Sequence, residues 1–394
     1  MNFRVLLLMF LWCGWMLMAP PAQSQIFKIP SPDTLAGNFF GSSVDMDGDT
    51  VVIGSTGSNA CGPNSGAAYV YQRQENNTWK LSATLQPTDC QAEHFFGKTV
   101  AIQNNRILVA AFRASFNQRD SNGVYIFEKE GDEWVQKQRL IDPNKGEFGA
   151  FGSSVALHDD RILITAAGGN PSLSQAGGAG YVYEPNDSRR WTLAATLVSD
   201  TPRFNGVFGT SCDIQGNRLV ISSSAAAPGS PGRATIYDYF EADRSWKKSG
   251  TIGSIASFFM PLDLDGDRIL VGESKAGKSE SGRARLFELR DSKWIETTVF
   301  QPQLPYAYGA FGSLVAMRND TVLIVGFDEQ LERDKNVDRV LYVFQKGPEK
   351  WSQKSILDVG SPFFGSSIAV FGDQALVGES SERSFGAAYV VQIN

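Results

Sequence analysis

The sequence predicts an all-β protein folded as a seven-bladed β-propeller, a ring of four-stranded blades. Three observations lead to this prediction: a segment that recurs seven times, four strand-like segments in each copy, and no stretch with helical periodicity. A fixed repeat period of about 50 residues indicates a solenoid, a propeller or an array. Each copy contains a recurring Phe, 51 to 57 residues after the previous one, at Phe40, Phe96, Phe151, Phe208, Phe259, Phe311 and Phe364.

The first two strands of each copy form a predicted hairpin. In the third copy, residues 151–156 (Phe-Gly-Ser-Ser-Val-Ala) are followed by a polar turn and then by residues 161–164 (Arg-Ile-Leu-Ile). Short apolar segments joined by Asn, Asp or Gly indicate a β-hairpin, because these residues tolerate the positive φ of a tight turn. We therefore expect one repeat to begin near each of residues 39, 95, 150, 207, 258, 310 and 363.

The third and fourth strands follow a loop rich in Gly and Ser. Residues 180–183 (Gly-Tyr-Val-Tyr) alternate aromatic and β-branched side chains, which suits a half-buried strand. The fourth strand begins near a Trp, and every Trp after residue 15 occupies this one repeat position. A position shared in this way predicts a common packing role for Trp79, Trp134, Trp191, Trp246, Trp294 and Trp351.

The two chain ends predict that the ring is closed. The seventh copy ends at Asn394, directly after its third strand, while Phe27 precedes Phe40 by the same 13 residues that separate Trp351 from Phe364. Residues 25–30 are therefore expected to supply the missing fourth strand of the last blade. A solenoid is the alternative architecture, but closure removes the two exposed sheet edges that a solenoid leaves.

These segments resemble a known repeat family. Residues 151–156, 161–166 and 180–183, followed by Trp191, resemble one complete unit of the FG-GAP repeat, which builds integrin α-chain propellers and many bacterial secreted propellers. The resemblance extends over residues 26–394. It implies an extracellular binding or adhesion module, although a fold alone does not determine a function.

Residues 1–24 are predicted to be a secretory signal peptide, ahead of a propeller over residues 25–394. Arg4 supplies the positive charge, residues 5–18 are apolar, and small residues precede the expected cleavage before Gln25. The apolar run is short for a membrane span, and an uncleaved anchor is the alternative. We expect a secreted protein, extracellular or periplasmic, with no membrane span in the mature chain.

The charge argues against one class of ligand, and the cysteines predict a disulfide. The net charge of −6 leaves no basic footprint, which argues against nucleic acid binding. Cys61, in a loop of the first repeat, and Cys90, in the linker to the second, are expected on the same face of the ring, so an exported protein should join them in a disulfide. Cys212 replaces the Val of other copies and is expected to be a buried apolar residue.

Two acidic turns are the candidate calcium sites. Calcium takes six to eight oxygen ligands, and alternating Asp residues can supply several of them from one loop. The turns at residues 45–49 and 263–267 are shorter than the Asp-x-Asp-x-Asp-Gly-x-x-Asp loops of integrin-type repeats, and a plain Asp-Gly hairpin turn is the alternative. The candidate ligands are Asp45, Asp47, Asp49, Asp263, Asp265 and Asp267.

The sequence favours binding over catalysis. The only two His residues, His94 and His158, are expected on opposite faces of the ring, and no Gly-x-Ser-x-Gly nucleophile elbow is present. The alternative is a secreted hydrolase or lyase that acts on polysaccharide or lipid.

An extracellular protein or a glycan is the expected ligand, bound on the face that carries the blade linkers and the loops between second and third strands. Tyr and Arg are enriched at binding hot spots, although loop residues can also simply pack on one another. The candidate binding residues in these loops are Tyr306, Tyr308, Arg113, Phe116 and Arg119.

Overall fold

The computed structural model confirms the seven-bladed β-propeller. It describes residues 25–112, 122–144, 150–168, 177–199, 207–224, 231–255, 260–305, 307–328 and 338–393. Seven separate four-stranded antiparallel sheets follow one another along the chain, and 28 strands build them. Across these described ranges, none of the helices is long and apolar enough to cross a membrane.

Six blades are formed by four consecutive strands each. Blade 1 contains β2 (Phe40–Asp47), β3 (Thr50–Ser55), β4 (Ala67–Arg73) and β5 (Trp79–Leu85), and blade 2 contains β6 (Val100–Gln103), β7 (Arg106–Ala111), β8 (Gly123–Glu130) and β9 (Glu133–Ile141). Blade 3 contains β10 (Ala150–His158), β11 (Arg161–Ala167), β12 (Ala179–Pro185) and β13 (Trp191–Val198), and blade 4 contains β14 (Phe208–Gln215), β15 (Arg218–Ser223), β16 (Gly232–Phe240) and β17 (Ser245–Ile255). Blade 5 contains β18 (Leu262–Asp265), β19 (Arg268–Glu273), β20 (Arg283–Arg290) and β21 (Lys293–Phe300), with a short 3₁₀ turn at Lys278–Glu280, and blade 6 contains β22 (Leu314–Arg318), β23 (Thr321–Phe327), β24 (Arg339–Lys346) and β25 (Trp351–Leu357).

Blade 7 combines the two ends of the chain, as the sequence predicted. It contains β26 (Phe364–Phe371), β27 (Gln374–Glu379) and β28 (Ala387–Gln392), and its fourth strand is the N-terminal β1 (Ile26–Pro30). Strand β1 pairs with β28 in an antiparallel register that places Ile29 opposite Ala388. The buried Ile29 side chain joins the apolar cluster between blades 7 and 1, which also contains Phe40.

The repeated Phe residues that the structure describes belong to the hydrophobic core. Six of the seven are described, and all six are almost completely buried: Phe40, Phe96, Phe151, Phe208, Phe311 and Phe364. Phe259 lies outside the described residues. The apolar clusters extend across neighbouring blades, so each blade–blade boundary is itself part of the hydrophobic core.

At three blade boundaries, the Trp position packs against an Arg from the preceding blade. The guanidinium carbon of Arg106 lies 4.7 Å from the centre of the Trp191 ring, at the boundary of blades 2 and 3. The same Arg bonds Glu128 in its own blade at 3.0 Å and donates to the carbonyl oxygen of Asp159 in the next blade at 2.9 Å. Arg161 over Trp246 and Arg218 over Trp294 repeat the stacking, which adds a cation–π contribution to blade packing.

The inner strands cross-link the blades with hydrogen bonds around the axis. Near the end of five inner strands, a polar side chain accepts a hydrogen bond from the first turn N–H of the following blade; Asp265, for example, accepts from Asn319 at 2.9 Å. The five acceptors are Asp47, Gln103, His158, Gln215 and Asp265. We call this set the collar. Blades 6 and 7 place Arg318 and Phe371 at the equivalent positions, and neither side chain is an acceptor.

Candidate functional site

The two ends of the ring differ in construction. One end carries the blade linkers and the loops between second and third strands, and we call it the linker-bearing face. The opposite end carries the tight hairpin turns and is the turn-bearing face. In blade 1 the loop spans residues 56–66, whereas the hairpin turns are two residues long, as at residues 48–49. The longer and more varied loops make the linker-bearing face the candidate binding surface.

A set of tyrosines supports the loops of this face from below. Tyr125, on the third strand of blade 2, donates its hydroxyl hydrogen to Asp89 at 3.1 Å and lies 3.3 Å from Nε2 of His94. Arg139 bonds the same Asp89 carboxylate at 2.9 Å. Tyr125 and His94 are both completely buried, so this polar cluster ties the linker that contains Asp89 to the blade.

The same strand position recurs with an acidic or polar partner in other blades. Tyr181 bonds Asp142 at 3.2 Å, and Tyr342 bonds Asp328 at 3.3 Å. Burial raises the pKa of Tyr181 far above neutral, and the nearby Asp142 carboxylate raises it further. These phenols therefore remain protonated donors at physiological pH, which suits a structural role. In blade 5 an Arg takes the position, and Arg285 bonds the buried Glu273 carboxylate at 3.0 Å.

Tyr308 is the only predicted binding residue within the described part of the chain. Its side chain is 71 % exposed on the linker-bearing face, and its N–H donates to the carbonyl oxygen of Ser279 at 2.7 Å. The backbone is therefore fixed while the ring is free to contact a ligand. Tyr306, Arg113, Phe116 and Arg119 lie outside the described residues.

The predicted disulfide is confirmed. Cys61 and Cys90 are bonded, with their Cα atoms 5.9 Å apart. The bond joins the 56–66 loop of blade 1 to the linker that enters blade 2. Cys212 is free and buried, in agreement with its predicted role in the core.

At one level of the axial channel, three inner strands carry an Asp, and only two of these residues, Asp45 and Asp263, are among the candidates predicted from the sequence. Asp45, Asp213 and Asp263 occupy equivalent positions on the inner strands of blades 1, 4 and 5, and they line a channel with a volume of about 540 Å³. The other four blades have Ala at this position. An Asp at a position that is otherwise Ala is the sequence signal that could have revealed Asp213.

These channel carboxylates bind the neighbouring blade. Asp45 accepts hydrogen bonds from the N–H of Met46 at 2.8 Å and from that of Ile102, in blade 2, at 2.7 Å. Burial raises the pKa of Asp45 to about 7, although the two N–H donors act in the opposite direction. Asp213 accepts from Leu264 of blade 5 in the same way, at 2.8 Å.

Asp213 and Asp263 lie close enough for a side-chain hydrogen bond between them. Burial raises the pKa of both groups, and the charge of Asp213 raises that of Asp263 further. Burial and the repulsion between the two carboxylates favour protonation of one of them at the boundary of blades 4 and 5.

The six calcium candidates are spread along the inner hairpins of blades 1 and 5 and do not surround one common point. Asp45 and Asp263 face the channel, Asp47 and Asp265 belong to the collar, and Asp49 and Asp267 are exposed on turns. Four of the six therefore already accept backbone N–H bonds from the next blade. A calcium ion at either turn would compete with the blade contacts for these oxygens. Within the described ranges, no group of three or more His, Cys, Asp or Glu side chains is placed to hold a metal.

Comparison with known families agrees with this architecture. The profile of the FG-GAP repeat family matches residues 24–71, 79–127 and 134–183. The second match runs from β5 to β8 and the third from β9 to β12, so each unit starts in the last strand of one blade. The first match begins at β1, which gives β1 the same role as β5 and β9. No curated protein sequence matches the chain.

Proposed function

Because the chain is an FG-GAP repeat protein with a closed ring, we propose that it is a secreted, non-catalytic binding or adhesion module. Its ligand is an extracellular protein or a glycan, and its binding surface is the linker-bearing face. Export is supported by the apolar segment at residues 5–18 and by the Cys61–Cys90 disulfide, which is typical of oxidising compartments.

The observation that carries the proposal is that this face combines buried, hydrogen-bonded Tyr side chains with one exposed Tyr. The Tyr side chains beneath the loops are buried and bonded to Asp partners, while Tyr308 projects into solvent from a hydrogen-bonded linker. A rigid support with an exposed aromatic residue is the arrangement that binding hot spots use, because little side-chain entropy is lost on contact.

The rival function, a secreted hydrolase or lyase, would use the cluster of Asp89, His94, Tyr125 and Arg139 on the same side of the ring. A general acid or base has to come within hydrogen-bond distance of the substrate. His94 and Tyr125 are completely buried beneath the linker, which favours the supporting role described above.

A binding screen against extracellular glycans and cell-surface proteins tests the proposal, with and without EDTA. The matched variants are Tyr308→Ser on the linker-bearing face and Phe240→Ser on the turn-bearing face, where Phe240 is also an exposed aromatic residue. A ligand whose binding is lost with Tyr308→Ser and retained with Phe240→Ser supports the proposal. Loss of that binding in EDTA would show that it also requires a divalent cation such as calcium. The opposite pattern, or hydrolysis of a polysaccharide or lipid by the chain, would contradict it.

A further inference from the structure

The structure exposes a group of apolar side chains on the linker-bearing face where the ring closes. Leu35, Phe363 and Phe385 are 44 %, 40 % and 52 % exposed, and we call them the blade 7 patch. Leu35 belongs to the linker between β1 and β2, Phe363 directly precedes β26, and Phe385 lies in the loop that precedes β28.

Strand register and one loop contact place the three residues at the same end of blade 7. Phe364 pairs with Glu379, which in turn pairs with Ala387, so the backbones of Phe364 and Ala387 lie about 10 Å apart. Phe363 and Phe385 lie one and two residues beyond them at the same end of the blade. The N–H of Gly37 donates to the carbonyl oxygen of Ser384 at 3.3 Å, which brings the Leu35 loop against the Phe385 loop. The patch therefore joins the first and last segments of the ring.

Comparison with blade 1 shows why Phe363 is exposed. Phe39 occupies the same repeat position and is half-buried, because its ring lies so close to Gly57 that a Cβ atom there would come within 3.1 Å of it. Gly57 belongs to the 56–66 loop of the same blade. The equivalent loop of blade 7 spans only residues 380–386, and it presents a further aromatic residue, Phe385, to solvent.

The charges in the three loops of the patch are mostly negative. Asp33, Asp358 and Glu382 lie in these loops, and Arg383 is their only cation. Asp33 accepts a hydrogen bond from the N–H of Leu35 at 3.0 Å, which holds a carboxylate beside that apolar side chain. A partner surface that is apolar with basic flanks is complementary to this patch.

We propose that the blade 7 patch is the docking site for a protein segment that presents apolar side chains flanked by Lys or Arg. The Phe and Leu side chains carry no hydrogen-bonding group, so binding at this patch depends on apolar contact, which a polypeptide with apolar side chains supplies. Contiguous exposed apolar residues with a polar rim are characteristic of protein interaction sites. This inference rests on the proposed function and names the partner chemistry for one part of the same face.

Occupancy of the patch would also clamp the closing blade. Blade 7 lies outside the collar, because Arg318 and Phe371 replace the acceptors at the boundaries of blades 6 and 7 and of blades 7 and 1. At the second of these boundaries, Ser366 and Ser367 still donate to the carbonyl oxygen of Gly41 at 3.0 and 2.8 Å. A segment bound across Leu35 and Phe385 would add contacts between the N-terminal and C-terminal parts of the ring.

The test uses the full chain and immobilised short synthetic peptides that carry a Leu-Phe pair flanked by Lys, with Glu-flanked peptides of the same apolar sequence. We expect the Lys-flanked peptides to bind and to raise the melting temperature of the chain. The double variant Phe363→Ser, Phe385→Ser should weaken binding at least about tenfold, as expected for hot-spot aromatics. Phe240→Ser should bind as the natural chain does, and Glu382→Lys should shift the preference toward the Glu-flanked peptides.

Circular dichroism melting of each free variant checks that its fold is retained. Equal binding of both peptide sets, binding that survives the double substitution, or no binding would overturn the docking site. A natural ligand that is lost with Tyr308→Ser but retained by the double variant would also overturn it, while leaving the proposed function intact. A screen in which no ligand depends on any residue of the linker-bearing face would remove the proposed function itself.

Discussion

Replacement of Ile29 by Ala tests whether β1 closes the ring, and the structure gives the expected size of the effect. Ile29 is 2 % exposed and packs between blades 7 and 1. The substitution removes three carbon atoms from the core, at about 0.8 kcal/mol each, and leaves a cavity. The free energy of unfolding should therefore fall by about 2–4 kcal/mol.

Ile26→Ala is the matched control, because Ile26 lies on the same strand but is 39 % exposed. Its cost should stay below about 1 kcal/mol. Urea denaturation followed by Trp fluorescence compares the two variants with the natural chain. If Ile29→Ala costs no more than Ile26→Ala, then β1 does not pack into blade 7 in solution and the closure described here is wrong.

Three further predictions concern the contacts between blades and loops. Arg106→Leu should lower the free energy of unfolding by about 1–3 kcal/mol, because Arg106 bridges Trp191, Glu128 and the Asp159 carbonyl. The control, Arg290→Leu, removes an exposed pair with Glu288 and should cost less than about 0.5 kcal/mol in the same urea experiment. Equal costs for the two variants would refute the bridging role. The folded-state pKa of Asp45, about 7, lies above its ordinary 3.8, so the folded state holds this proton more tightly and stability from this group is lost as pH rises from about 4 to 7. The free energy of unfolding of Asp45→Asn, relative to that of the natural chain, should thus increase between about pH 4 and 7. The increase should be at most about 4 kcal/mol, and smaller where channel water solvates the carboxylate. A difference between the two chains that does not change with pH would contradict the assignment. Reduction of Cys61–Cys90, which are 29 residues apart, should lower the free energy of unfolding by up to about 3–4 kcal/mol, and an unchanged urea midpoint in dithiothreitol would show that the bond leaves the unfolded chain unconstrained.

The architecture was predictable because similar local signals recur from blade to blade. The recurring Phe and the segment after it, the polar turn and the Trp strand each specify one element, and their repetition along the chain removes the ambiguity that a single short apolar run would leave. The closing strand was predictable from spacing alone, since Phe27 precedes Phe40 as Trp351 precedes Phe364. The Cys61–Cys90 bond followed from the placement of both loops on one face.

The channel and the patch were harder to predict because both depend on distances around the ring. Asp213 is an isolated acid in the sequence, and its pairing with Asp263 exists only because neighbouring inner strands converge on the axis. Phe39 and Phe363 occupy the same repeat position, yet one is half-buried and the other exposed. The 56–66 loop reaches Phe39, while the loop of blade 7 is shorter, at residues 380–386. Local sequence patterns do not show whether a loop covers a particular ring.

Amide hydrogen exchange with a ligand recovered from the binding screen tests the central claim most directly, which is that the linker-bearing face is the binding surface. The account predicts slower exchange on ligand addition around Tyr308 and in loops such as 56–66 and 380–386, with no change in the hairpin turns at residues 48–49 and 319–320. Slower exchange confined to those hairpin turns would place the ligand on the opposite end of the ring and contradict the account.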